Sequence, residues 1–110
     1  MAQAYKYAQV QGTASTGTYA TLYESPSATE AIISSLVITN QASSDVTVRI
    51  GLDTTAGTPG SDEFLVYDAV IAGNDTVALT LGVTLDAAKF IRVSSSANTC
   101  NFTAFLSEIS

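Results

Sequence analysis

A-I-I-S-S-L-V-I-T-N (31–40), running into N-Q-A-S-S-D (40–45) and V-T-V-R-I-G-L (46–52), is the stretch that decides the fold class of this chain. In the first run Ile32, Ser34, Leu36 and Ile38 fall on one side of an extended backbone and Ile33, Ser35, Val37 and Thr39 on the other. Both sides are apolar enough for a strand inside a sheet. In the last run Val46, Val48, Ile50 and Leu52 alternate with Thr47, Arg49 and Gly51, so one face is dry and one wet. The polar hexapeptide between them reads as a compact turn and predicts that the two strands pair as a hairpin.

The same period of two extends outward along the chain. Strands are predicted at residues 4–10, 18–23, 63–68, 76–81, 89–94 and 99–109, separated by clusters of Gly, Ser, Asn, Asp and Pro. A Gly/Ser/Thr loop at 11–17 ends the first strand, and Ser25-Pro26-Ser27 halts the second because proline has no N–H to give a ladder. The segment D-T-T-A-G-T-P-G-S-D (53–62) is the most turn-rich loop. Residues 69–72 lead into a turn at Gly73-Asn74-Asp75, and 82–88 reads as an irregular connection, the one place for a helical turn. Eight short strands at even spacing predict an all-β domain, an antiparallel β-sandwich of jelly-roll or immunoglobulin-like type, with residues 1–110 as one unit.

Composition narrows what such a domain can do. Hydrophobic residues make up 46% of the chain and charged ones 13%, the balance of a folded protein and the reverse of a disordered one. The net charge of −6 has the wrong sign for gripping a phosphate backbone, so no direct nucleic-acid contact is expected. No run approaches the roughly 18 apolar residues that span a bilayer, and no membrane partner is expected. The first residues carry no basic segment followed by an apolar one, which points to synthesis in a cytoplasm.

Histidine is absent, and with it the usual general base, the usual activator of a serine and the usual neutral metal ligand. The single cysteine, Cys100, alternates with Phe102, Ala104 and Leu106 and reads as a small core residue. Neither phosphate-cradling glycine motif occurs, so no cofactor is expected. Asp62 and Glu63 beside Asp53 could hold calcium or serve as a glycosidase pair, but neighbours on a strand point to opposite faces. The expectation is a protein without a metal or catalytic centre, not an enzyme, whose work is binding or building.

The aromatic residues give that work a place. Tyr5, Tyr7, Tyr19 and Tyr23 all fall in the first two strands, and tyrosine suits surfaces dry at one end and wet at the other. Each of the four reads either as core packing or as part of a candidate subunit interface; stacked on sugar rings, they would instead make a carbohydrate-binding module.

Several segments together resemble a family of small virion structural proteins of tailed phages, notably those infecting cyanobacteria. The resemblance is carried by M-A-Q-A-Y-K at the start, T-L-Y-E-S-P-S-A-T-E-A-I-I-S-S-L-V-I-T-N-Q (21–41), V-T-V-R-I-G-L (46–52), Y-D-A-V-I-A-G-N-D-T-V-A-L-T-L-G-V-T-L (67–85) and F-T-A-F-L-S-E-I (102–109). It implies a virion protein made in the bacterial host's cytoplasm. Its role would be a capsid decoration or cement subunit, or alternatively a tail, neck or fibre component. The implied partners are further copies of itself, as a homo-oligomer and specifically a trimer, and the major capsid protein or other virion proteins.

Overall fold

The computed structural model describes residues 3–11, 19–53, 59, 63–80 and 82–109. Nine strands run through them: β1 (Gln3–Gln11), β2 (Ala20–Glu24), β3 (Glu30–Asn40), β4 (Val46–Asp53), β5 (Phe64–Ile71), β6 (Thr76–Leu79), β7 (Val83–Leu85), β8 (Phe90–Ser95) and β9 (Cys100–Ile109). All pairings are antiparallel. One sheet has the order β1-β9-β3-β6, with β7 also on β3, and the other has the order β2-β8-β4-β5.

Because β9 occupies one edge of β3 along residues 30–40, β6 and β7 share its other edge, end to end. They are one interrupted strand. Counted as such, one sheet runs first, eighth, third, sixth and the other second, seventh, fourth, fifth. That crossing pattern is the jelly roll; an immunoglobulin sandwich distributes its strands differently.

The two inner faces meet in one core. Ile33, Leu36, Ile38, Leu85, Phe102, Ala104 and Leu106 come from the five-stranded sheet and Leu22, Val46, Val48, Ile50, Ile71, Ile91 and Val93 from the four-stranded one. Inward residues at alternate positions, interdigitating across about 10 Å, are what a sandwich requires. Cys100 lies fully buried among them.

The structure departs from the sequence reading at four points. First, β3 and β4 do not form a hairpin: they lie in opposite sheets, and residues 41–45 carry the chain across the sandwich. Asn40, buried at that corner, fixes the crossing. Its amide donates to the carbonyls of Ser44 at 2.9 Å, Ile71 at 3.1 Å and Ala72 at 3.2 Å, while its Oδ1 accepts from the Ala42 N–H at 3.0 Å and the Thr99 hydroxyl at 3.1 Å. Alternation alone cannot tell a turn within a sheet from one between sheets.

Second, a β-bulge between Ile33 and Ser35 shifts the phase of β3. Ile33, Leu36 and Ile38 therefore share the core, and Ile32 turns outward. Ser34 fills the bulge by donating its hydroxyl to the Phe105 carbonyl at 3.1 Å. Third, residues 83–85 form a short strand against Ala31–Ile33 rather than an irregular connection, because Leu85 finds a place in the core. Leu81, expected at the end of the preceding strand, lies outside the described residues.

Fourth, β5 continues past Asp68, where the sequence reading ended it. Asp68 takes φ 57 and sits in a second bulge, opposite the step from Val48 to Arg49. Aspartate is one of the few side chains that enters this left-handed region at modest cost. The loops expected at 11–17 and 53–62 fall largely outside the described residues.

Candidate assembly surface

The outer face of the five-stranded sheet is built in rungs. Tyr5 pairs with Ser107, Ser107 with Ile32 and Ile32 with Thr84; Tyr7 pairs with Phe105 and Phe105 with Ser35. Two polar rungs follow, Gln9-Thr103-Val37-Ala78 and Gln11-Asn101-Thr39-Thr76. The inner partners of these residues are committed to the core, so strict alternation sends Tyr5, Tyr7 and Phe105 outward. They are 83%, 67% and 45% exposed, and Ile32, turned out by the bulge, is 39% exposed. A shallow groove runs between Tyr5, Ile32, Ser34 and Phe105, with Lys6 lining it from the edge strand.

Among the described residues of these strands, Glu30 stands at one corner of the face and Lys6 lines the groove at its edge. At the rim, Lys6 is paired with Glu108 at 3.0 Å.

The opposite face of the sandwich carries a second layer. Tyr19 stacks on Phe64 with ring centroids 6.0 Å apart, and Phe64 meets Tyr67 edge-on at 4.9 Å. The Arg49 guanidinium lies 4.0 Å over the Tyr67 ring, grips Asp68 through two nitrogens at 2.6 and 3.1 Å, and reaches the Tyr19 hydroxyl at 3.5 Å. That pairing raises the pKa of Arg49 and lowers that of Asp68. Pro59 rests on Gly51, where a Cβ would come within 2.7 Å of the proline ring. Arg92, buried, stacks on Phe90 at 4.3 Å and donates to the Thr21 hydroxyl at 2.5 Å. Leu65, Tyr67 and Val70 are exposed along β5.

The four tyrosines singled out by the sequence are thus divided. Tyr5 and Tyr7 stand on the open outer face. Tyr19 belongs to the aromatic layer of the other sheet. Tyr23, half-buried, donates its hydroxyl to Glu108 at 2.5 Å, and burial followed by that bond pushes its pKa well above the usual phenol range. Any platform for sugar rings is correspondingly reduced to the Tyr5 and Tyr7 pair. Sequence reasoning missed Phe105 and Ile32 as members of the outer face. The first was readable from the alternation that buries Phe102, Ala104 and Leu106, whereas the second required knowledge of the bulge.

No group of three or more Cys, Asp or Glu stands together to hold a metal ion among the described residues. Asp62, one of the carboxylates considered for calcium or glycoside chemistry, lies outside them, as does the side chain of Asp53. Burial pushes the Cys100 thiol up, away from the thiolate that reactive cysteines need. What the geometry offers is contact area.

No protein-family model matches the sequence, and no curated protein does. Solved structures share its fold. A chain of the infectious bursal disease virus T13 particle superimposes with a TM-score of 0.59 at 6% identity, over 96% of this chain and 30% of that one. This protein therefore spans less than a third of that viral chain. A chain from the acid-stable capsid of Helicobacter pylori bacteriophage KHP30 gives 0.58 at 12% identity, covering 100% and 94%. A subunit of the disulfide-linked pili that form Bacillus endospore appendages gives 0.57 at 13%, covering 99% and 87%. At such identities the likeness is one of architecture.

Proposed function

We propose that this chain is a structural protein of a tailed-phage virion, a head decoration or cement subunit that holds shell proteins together by contact. The observation that carries the reading is that the jelly roll makes up nearly the whole chain. Its likeness to the KHP30 capsid chain covers all of this chain and 94% of that one. The sequence resemblance to small virion proteins of cyanobacterial phages points the same way. A small sandwich has a thin margin of core stability and gains from self-association, for which a trimer at the local threefold positions of a shell is the natural form. Such a subunit acts through many weak contacts at once.

Deleting the gene tests this. Particles should lose one abundant band and become less resistant to heat or osmotic shock; particles unchanged in composition and robustness would refute the role.

The likeness to a pilus subunit favours a second reading, a tail, neck or fibre component that stacks in a filament. Disulfide linkage is not open to this chain in the same way, since its one cysteine is wholly inside the core. The second reading predicts few copies per particle and the first predicts many.

A further inference from the structure

We propose that the uncharged outer face of the five-stranded sheet docks against a second copy of this chain, in a contact that is weak between free molecules and effective only where copies are crowded together. The proposal deepens the assembly reading and rests on it only for the crowding.

Charge selects the occupant. The protein carries ten acidic and four basic residues, a net charge of −6, so two copies repel through most of their surfaces. The four rungs from Tyr5 to Thr76 contain no charged side chain; Glu30 stands at their corner, and Lys6, at the groove's edge, is paired within its own chain to Glu108. Two identical anionic molecules can meet face to face here without opposing like charges. A partner of different sequence would ordinarily be chosen by complementary charge, which this face lacks.

Area sets the strength. Strands about 4.8 Å apart and rungs about 6.8 Å apart give four strands by four rungs a footprint on the order of 500 Å². A stable pair buries about 800 Å² on each partner, so this contact is roughly three fifths of what a free dimer needs. The aromatic rungs of Tyr5, Tyr7, Ile32 and Phe105 supply its apolar part, and the Gln, Asn and Thr rungs supply neutral hydrogen-bonding groups. Fixed on a common support, copies face one another at millimolar effective concentration or above, where such a contact closes.

The test is sedimentation equilibrium of the purified full chain from about 10 µM to about 1 mM, a range that brackets a weak interface of this size. The weight-average mass should rise with concentration. The association constant should rise, by no more than about tenfold, between roughly 50 and 500 mM salt, because the contact rests on no ion pair while added salt screens the repulsion between two chains of net charge −6. Tyr7→Asp and Tyr7→Lys should each weaken association at least about tenfold, since a charge of either sign must be dehydrated in the contact. Val70→Asp, on the far side of the sandwich, should leave it within about twofold. Circular dichroism of each variant verifies that the fold is intact, and Phe105→Ser replaces Tyr7 as the probe if a Tyr7 variant unfolds.

A monomer at every concentration would overturn the proposal. So would association strengthened by Tyr7→Lys, as plain charge neutralisation would give, or association weakened as much by Val70→Asp as by Tyr7→Asp. A strict monomer present in many copies per particle would remove this contact and leave the virion role standing. Self-association of a protein absent from particles would do the reverse.

Discussion

The hydroxyl of Tyr23 and the carboxylate of Glu108 lie 2.5 Å apart and join the two sheets at one side of the sandwich, β2 to β9. Lys6 on β1 closes the group by pairing with the other carboxylate oxygen at 3.0 Å. Three strands that share no hairpin are held by one acidic side chain. The hydrogen bond from Tyr23 and then that from Lys6 keep the Glu108 carboxyl below its ordinary range.

Stability should accordingly depend on pH at both ends. Glu108 and Asp68 have folded-state pKa values lowered below their unfolded ones, so their contributions are present above about pH 4 and lost as pH falls through the folded values. Tyr23 has a raised value, so its contribution is complete below about pH 10 and is lost as pH rises through the folded value. Tyr23→Phe should cost about 1–2 kcal/mol at neutral pH. Thermal melts across pH should show the gap between the two proteins narrowing towards both extremes. A gap that is constant with pH would contradict the role given to this pair.

Asn40 explains how the chain crosses between sheets. Asn40→Ala removes the donor to three carbonyls and should cost about 3 kcal/mol in chemical denaturation. Asn40→Asp should be no milder although it keeps the shape, because a carboxylate has no proton to give Ser44, Ile71 and Ala72. The adjoining turn is packed as tightly: a Cβ on Gly73 would lie 2.3 Å from the Ser43 carbonyl oxygen. Gly73→Ala should therefore cost about 1–3 kcal/mol. Near-neutral results at both positions would show that the corner is not where the crossing is fixed.

Much of this architecture was legible in the sequence because inward residues of a sandwich alternate with outward ones. Runs such as Val46, Val48, Ile50 and Phe102, Ala104, Leu106 announce strand and face together. Three features were not legible. The bulge that moves Ile32 out and Ile33 in leaves both apolar, so composition hides it. The pairing of β3 with β9 rather than β4 joins residues 60 to 79 positions apart, a relation that local pattern does not carry. The division of the tyrosines depends on partners distant in sequence: Tyr23 on Glu108, Tyr19 on Phe64 and Arg49. The outer face was half visible, through Tyr5 and Tyr7, and was completed only by the register that sets Phe105 beside Tyr7.

Cys100 should behave as a core atom. A thiol reagent should label it only after denaturation, and oxidation of the folded protein should give no disulfide-linked dimer on a non-reducing gel. Rapid labelling of the native protein, or a covalent ladder, would contradict the burial and revive a linked filament as the mode of assembly.

The most direct measurement is the number of copies of this chain per purified particle, by quantitative mass spectrometry against the major capsid protein. A decoration subunit that covers the shell should be present in a fixed ratio to that protein and in hundreds of copies. A handful of copies would move the protein to the tail or neck, and its absence from particles would contradict a structural role in the virion.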